Sequence, residues 1–348
     1  MKLGLFVEGY ANPRLEIPIE RIQLAERLGF DSLWTAEAYG ADAITPLAFI
    51  AAQTQRIRLG TAVAQVAGRT PAMCAMQMAT VDTLAGGNRA IAGLGLSGPQ
   101  IVEGWYGQPW GRPYYRLRDY VEIMRKVFQR KEPVTHDGRQ FQLPYRGEGA
   151  LGIGKPLKSI LHTNPDIPIW LATGSEANVK LTAEIADGWL PMGFGPGMLE
   201  IYQAWLDAGF ARTGGRRSLA NLEIQAQTQA ILTDDVQAAL DSMKPMTALY
   251  VGGMGHKNVN FHKEAMARRG FPEEAERIQE LFLAGKRAEA IAAVPDEYLD
   301  AGALIGPTER IRDKWKGWAG SGATGLTLHT RQPEVLELVA ELAGTRDA

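Results

Sequence analysis

Two hydrophobic periodicities alternate along the chain. Short apolar runs bounded by turn residues are typical of buried strands, whereas apolar residues three and four positions apart are typical of amphipathic helices. The segment KLGLFVEGY is the first such run, and IPIERIQLAERLGF follows it with helical spacing that ends at Gly29. The same alternation continues to the end of the chain and predicts seven further strands: DSLWTAEAY, RIRLGTAVAQV, RAIAGLGL, IPIWLATG, DGWLPMGF, LEIQAQTQAIL and GATGLTLHT.

Two segments interrupt this alternation. Residues 131–165 include THDGRQFQLP, which predicts a small hairpin on Asp137–Gly138, followed by the glycine-rich GEGALGIGKPL. Residues 252–300 predict helical hairpins, and the sequence DDVQAALDSMKPMTALYV before them predicts the helix that follows the seventh strand. Because the alternation resumes directly after each segment, we interpret both as insertions into one domain that spans residues 1–348.

Eight strands that are each followed by a helix predict a (β/α)8 TIM barrel with insertions. A doubly wound open sheet is the alternative, but eight parallel strands without a domain break fit closure better. In a barrel, the carboxyl ends of all strands open on one face, and active sites lie there.

Composition narrows the class of protein further. The 348 residues include 37 basic and 39 acidic side chains, a net charge of −2, which does not indicate a nucleic-acid or membrane partner. No apolar run is long enough to span a bilayer and no signal-peptide pattern is present, so we expect a cytoplasmic protein. The single cysteine, Cys74, lies in an apolar stretch and predicts a buried thiol. No histidine has metal-ligand spacing, so we expect no metal site.

The segment GLGLSGPQ contains a complete G-x-G-x-x-G at Gly93, Gly95 and Gly98. A dinucleotide fingerprint belongs after the first strand of a Rossmann fold, and here the motif follows the fourth, so we reject that interpretation. A glycine turn before a helix still offers free N–H groups to an anion, and a second such turn follows the fifth strand at residues 172–175. Together they predict a phosphorylated cofactor; ordinary tight turns are the alternative.

Five stretches of the sequence carry a resemblance to a known family. They are LWTAEAYG, RIRLGTAVAQVAGRTPA, LAGGNRAIAGLGLSGP, IPIWLATGSEANVKLTAEIADGWLP and LIGPTERI…GATGLTLHT. In this order the chain resembles the bacterial luciferase-like superfamily, and within it the coenzyme F420-dependent oxidoreductases, whose relatives include methylenetetrahydromethanopterin reductase. The resemblance covers essentially the whole chain.

The resemblance implies how a cofactor would be held. The third strand would end in a non-prolyl cis peptide at Ala62–Val63, and the deazaflavin ring would rest on this bulge. The cofactor phosphate would lie at two turns, formed by Gly95, Leu96, Ser97 and Gly98 and by Thr173, Gly174 and Ser175. The resemblance also implies hydride transfer at C5 of the ring, and a homodimer or larger homo-oligomer.

The chain departs from the resemblance after the second strand. Relatives often carry Asp-His there, with the histidine suspected of proton transfer, and this chain has Glu37-Ala38 followed by Tyr39. We therefore expect catalytic roles for Glu37, as proton donor, and for Tyr39. An ion-paired Glu37 is the alternative.

Further polar residues fall at the predicted barrel mouth and are candidates for substrate binding. They are Glu8 at the end of the first strand, Gln65 and Arg69 after the proposed bulge, and His329 at the end of the eighth strand. Loop exposure of Glu8, a surface position for Arg69 and a structural histidine are the alternatives. On the seventh strand, Gln225, Gln227 and Gln229 alternate and should share one face.

These observations predict an F420-dependent oxidoreductase that transfers a hydride between the cofactor and a small organic molecule. Two alternatives stay open. One is an FMN-dependent luciferase-like monooxygenase on the same fold. The other is a barrel that has lost redox chemistry and serves as a binding or structural protein, which the Ala38 substitution would favour.

Overall fold

The computed structural model describes residues 1–8, 13–255, 257 and 259–345. The strands are β1 (Lys2–Phe6), β2 (Ser32–Thr35), β3 (Arg58–Thr61), β4 (Ala64–Gln65), β5 (Ala90–Gly95), β6 (His136–Asp137), β7 (Gln142–Leu143), β8 (Ile169–Ala172), β9 (Gly188–Trp189), β10 (Glu223–Leu232), β11 (Leu304–Gly306) and β12 (Gly325–His329). The helices are α1 (Ile19–Arg27), α2 (Thr45–Ala51), α3 (Pro71–Leu84), α4 (Pro99–Gly104), α5 (Pro113–Gln129), α6 (Glu176–Ile185), α7 (Leu199–Ala211), α8 (Val236–Gly253), α9 (Phe261–Arg268), α10 (Pro272–Leu283), α11 (Arg287–Ala292), α12 (Asp296–Ala301), α13 (Thr308–Ala319) and α14 (Pro333–Ala343).

Eight parallel strands close into a barrel in the order β1-β2-β3-β5-β8-β9-β10-β12, and β12 pairs with β1. The (β/α)8 TIM barrel expected from the sequence is thus confirmed, and the open-sheet alternative is wrong. The first strand ends at Phe6, and the last two residues of its predicted segment lie outside the described residues.

The third barrel strand is interrupted near its carboxyl end. β3 ends at Thr61, the peptide between Ala62 and Val63 is cis, and pairing with β5 resumes at Ala64 and Gln65 in β4. The cis peptide therefore stands at the position that the family resemblance implied, and this expectation is confirmed.

Two tryptophans fill the barrel interior below the mouth. Trp34 and Trp170 are fully buried, with ring centroids 5.1 Å apart. Glycines on neighbouring strands make room for them: a Cβ at Gly60 would lie 2.4 Å from the Trp34 ring, and one at Gly188 would lie 2.3 Å from Trp170. This packing fills the interior of the barrel below the carboxyl ends of the strands.

The first insertion packs its hairpin on the barrel helix α5. β6 and β7 pair antiparallel, with His136 opposite Leu143, as the sequence predicts. The Asp119 carboxylate of α5 accepts hydrogen bonds from the backbone N–H groups of Gln140 (2.7 Å) and Phe141 (3.0 Å) in the hairpin turn. These charge-assisted bonds fix the hairpin to the outer layer of the barrel.

The second insertion is a helical layer with a hydrophobic core of its own, formed by α8 to α12. The sequence assigned α8 to the barrel wall, but its buried residues pack in this separate core, with α10 as its main partner. Helix α13 packs on β11 and α14, and its Ile311, Trp315 and Trp318 belong to the barrel core. Hydrophobic periodicity identifies a helix but not the core that it joins.

Candidate functional site

A cavity of about 920 Å³ opens at the carboxyl ends of the barrel strands. Its lining contains most of the residues proposed from the sequence: Glu8, Glu37, Ala62, Val63, Gln65, Gly95, Leu96, Ser97, Gly98, Thr173, Gly174, Ser175 and His329. Two proposed residues, Tyr39 and Arg69, do not line it. Tyr39 is 57% exposed and packs edge-on against Trp105, with ring centroids 6.4 Å apart.

The first glycine turn lies directly beside the interrupted third strand. A Cβ on Gly95 would stand 2.4 Å from Cγ2 of Val63, so only glycine at position 95 leaves the cis segment where it is. Ser97 adopts a left-handed conformation with φ of 60°, which turns the chain into α4. A Cβ on Gly98 would meet only ordinary contacts at 3.4 Å and beyond. The glycine requirement is therefore steric at Gly95 and not at Gly98.

The second turn leads into the longer helix α6. Ser175 caps α6, but its side chain makes no capping hydrogen bond, which leaves the first N–H groups of the helix available to a ligand. Asn178, one turn further, lines the cavity, and its buried Oδ1 has no hydrogen-bond partner among the described residues. Thr173 Oγ1 instead lies 2.7 Å from Thr182 Oγ1 within the protein. This end of the cavity is suited to an anionic group because helix N-termini favour negative charge.

Glu37 is locked in a buried ion pair with Arg69. The guanidinium donates from Nη1 to Oε1 and from Nη2 to Oε2 of the carboxylate, both at 2.7 Å. Two backbone N–H groups also donate to it: Gln65 to Oε1 (2.6 Å) and Ala43 to Oε2 (3.0 Å). Burial lowers the pKa of Arg69, but the hydrogen bonds and the charge of Glu37 outweigh this effect and raise that pKa above its usual value.

The Glu37 interactions hold the chain after the cis peptide. Its backbone carbonyl also accepts a hydrogen bond from Gln65 Nε2 at 2.9 Å, so Gln65 is bound to Glu37 through both its backbone and its side chain. Gln65 lines the cavity, and its buried Oε1 has no partner among the described residues. The ion-paired state of Glu37, left open by the sequence, is the one that the structure contains.

The wall formed by β1, β10 and β12 carries His329. Its ring stacks on Phe6, with centroids 4.2 Å apart, and its Nε2 lies 3.1 Å from Gln227 Oε1. Desolvation lowers the pKa of His329 to about 4, against an opposing effect of the Glu8 charge. The imidazole is therefore neutral near pH 7.

Glu8 stands at the rim of this wall in an ion pair. Its Oε2 accepts a hydrogen bond from Nε of Arg331 at 2.5 Å. The Arg331 side chain is 74% exposed, so water surrounds this pair on one side.

The model of the luciferase-like monooxygenase family matches residues 4–325 of this chain. The chain belongs to this family. Family membership makes the protein an oxidoreductase. Within the described part of the chain, no helix is long and apolar enough to cross a membrane. The described residues also contain no group of three or more His, Cys, Asp or Glu side chains that could hold a metal ion.

Three relatives show how this chain compares with other proteins. It is 44% identical over 343 residues to the "Putative coenzyme F420-dependent oxidoreductase Rv3520c" of Mycobacterium tuberculosis, which covers 98% of this chain and 99% of that protein. It is 26% identical to the 5,10-methylenetetrahydromethanopterin reductase of Archaeoglobus fulgidus over 87% of this chain and 86% of that enzyme. The solved structure of the coenzyme F420-dependent tetrahydromethanopterin reductase from Methanopyrus kandleri superposes with a TM-score of 0.77 at 22% identity, over 98% of this chain and 97% of that one.

Sequence reasoning missed part of the lining of this luciferase-like barrel. His262 of α9 reaches the cavity from the second insertion, and burial lowers its pKa to about 4. Gln227 and Gln229 line the cavity while Gln225 lies deeper and donates to Thr327 Oγ1, so the three share the interior face as their alternation predicts. No local pattern marks His262, because its position depends on how the insertion packs over the barrel.

Proposed function

We propose that this protein is a coenzyme F420-dependent oxidoreductase that transfers a hydride between the deazaflavin and a small organic substrate. The observation that carries the proposal is the arrangement of the cavity. It brings both glycine turns and the interrupted third strand to one continuous lining, which supports a ligand with an anionic tail and a flat ring. The 44% identity to a relative named for F420 favours this cofactor.

The residues present fit such a cofactor. Gln65 Oε1 is a buried acceptor beside the cis segment, and an unpaired buried acceptor is costly unless a ligand donates to it. The uncapped N-terminus of α6 offers N–H donors further along the same wall. An unpartnered acceptor thus lies where a ring edge would be, and free donors lie where a phosphorylated tail would be.

When bound, F420 supplies a hydride donor or acceptor at C5 of its ring. In this proposal Ala62 and Val63 support the ring, and the two turns at residues 95–98 and 173–175 hold the phosphate. Leu190 and Phe6 exclude water from the interior side.

We propose that Glu37 is a positioning residue. Because Arg69 and two backbone N–H groups donate to both of its oxygens, Glu37 is held as a hydrogen-bond acceptor within the protein. Neutral His329 is the better candidate for contact with a substrate oxygen. Its Nε2 faces Oε1 of Gln227, which can only accept, so the neutral ring carries its proton on Nε2 and its Nδ1 can accept a hydrogen bond from a substrate hydroxyl.

An FMN-dependent monooxygenase is the second candidate, favoured by the description of the matching family. A fluorescence titration of the purified protein with F420 and, separately, with FMN distinguishes the candidates. Micromolar or tighter binding of F420 with much weaker FMN binding supports the reductase. Preferential FMN binding supports the monooxygenase, and binding of neither cofactor would contradict both candidates.

The variants Gly95→Ala and Gly98→Ala provide a matched control for this titration. Both add one methyl group to the same turn, but only the first would clash with Val63. We expect Gly95→Ala to weaken F420 binding at least tenfold and Gly98→Ala to weaken it much less. Equal effects would contradict the placement of the ring on the Ala62–Val63 segment.

We also propose a homodimer, for which sedimentation equilibrium should give twice the mass of the chain.

A further inference from the structure

The cavity has two opposite ends. Going round the barrel in either direction, β12 is four strands away from β5, which leads into the first glycine turn. β10 stands next to β12 and contributes Gln227 and Gln229. If the cofactor occupies the turns after β5 and β8, the wall formed by Phe6, His329 and the two glutamines is left for the substrate.

The charges on the described cavity lining are all paired within the protein. Three described lining residues carry charge: Glu8, Glu37 and Arg331. Glu37 is bound to Arg69 and Glu8 is bound to Arg331, which is largely in water at the rim. Arg21 also faces Glu8 from α1, but it does not line the cavity. No described lining residue therefore offers an unpaired charge to the substrate.

The two histidines on the lining do not supply charge either. His329 and His262 each have a pKa lowered to about 4 by burial. The substrate wall also carries the amides of Gln227 and Gln229, and beyond His329 the lining continues with the uncharged side chains of Thr330 and Gln332. The amide NH₂ groups can donate to a carbonyl oxygen and the free imidazole nitrogen can accept from a hydroxyl, but none of these groups can neutralise an ion.

We propose that the substrate is an uncharged organic molecule that presents a carbonyl or hydroxyl oxygen to the wall of His329, Gln227 and Gln229. This inference rests on the proposed function, which assigns the opposite wall to the cofactor. A carboxylate or phosphate brought to this wall would lose its hydration without gaining a partner of opposite charge, and such burial is strongly unfavourable. The apolar part of an uncharged molecule would instead contact the Phe6 and Leu190 side of the cavity.

The test uses matched pairs of keto esters and keto acids that differ in one charge: methyl levulinate and levulinate, methyl 4-acetylbenzoate and its acid, and methyl 4-oxocyclohexanecarboxylate and its acid. Dissociation constants are measured by ligand-detected NMR at pH 7.5, with and without F420. We expect the ester to bind at least about tenfold more tightly than its acid in each pair that binds. The variant Gln229→Lys should abolish this preference by adding an unpaired cation, and Gln229→Met should retain it.

Three results would overturn the inference. They are acids that bind as tightly as their esters, an unchanged ester preference in Gln229→Lys, and no binding of any ester at 10 mM. A dissociation constant of roughly 10 mM is about the weakest expected for a small ligand in its site. A titration with F420 in the same samples separates this inference from the proposed function. Ester preference without F420 binding contradicts the proposed function alone. F420 binding with acid preference contradicts the substrate class alone.

Discussion

Substitution of Glu37 by glutamine tests the buried ion pair that holds the third strand. The side chains of Glu37 and Arg69 are only 3% and 12% exposed, so water cannot replace the lost partner. Glutamine keeps the shape but has one acceptor oxygen in place of two, and its NH₂ group would face a guanidinium or a backbone N–H. Arg69 would remain buried with its charge uncompensated.

The expected loss of stability follows from this geometry. Removal of one partner from a buried ion pair costs about 3–5 kcal/mol of unfolding free energy. The same chemical change in Glu8→Gln removes the partner of Arg331, which is 74% exposed, and should cost no more than about 1 kcal/mol. Glu8→Gln is therefore the matched control, because it replaces the same side chain in an ion pair at the mouth of the same cavity.

Urea unfolding followed by tryptophan fluorescence measures both variants. We expect a larger loss of stability for Glu37→Gln than for Glu8→Gln, together with weaker binding of F420, because Gln65 beside the cis segment loses an anchor. If Glu37 were instead a proton donor, Glu37→Gln would keep its stability and F420 affinity and lose only turnover. Equal stability of the two variants would refute the positioning role.

Two further predictions concern other buried groups. Because the pKa of His329 is about 4 when folded and near 6.5 when unfolded, the unfolded chain takes up its proton first as the pH falls. The free energy of unfolding should therefore drop between pH 7 and pH 5, and His329→Gln should remove about 2 kcal/mol of that drop in urea titrations. Identical pH profiles of stability for the wild-type protein and the variant would contradict this prediction. Cys74 is fully buried, and burial raises its thiol pKa to about 11, so a thiol reagent should label it only after unfolding.

Much of the fold was predictable because each element has a local signal. Apolar runs bounded by turn residues mark the strands, and their alternation with helical spacing marks the barrel. The sequence also placed the cis peptide at Ala62–Val63 through the family resemblance, and Gly95 is the residue that accommodates it. Each of these features is encoded by a short stretch of sequence, so it can be recognised without knowing which distant segments pack against it.

The rest depends on contacts between distant segments. Glu37 meets Arg69 across 32 positions, and nothing in the local sequence chooses between a proton donor and an ion pair. Tyr39 follows Glu37 closely, yet it points to solvent beside Trp105 and not into the cavity lining. Helix α8 has the periodicity of a barrel helix but packs in the insertion core, which then delivers His262 to the cavity. Side-chain direction and helix docking are tertiary properties, and one sequence does not encode them locally.

A structure determined from crystals soaked with F420 tests most directly the central claim, that the cofactor binds in the cavity at the barrel mouth. We expect electron density for the deazaflavin ring against Ala62 and Val63, with the phosphate within hydrogen-bond distance of the turns that contain Ser97 and Ser175. The wall of His329 and Gln229 would then remain open to substrate. Density for the ring on the His329 wall, or no F420 in the cavity at saturating concentration, would contradict it.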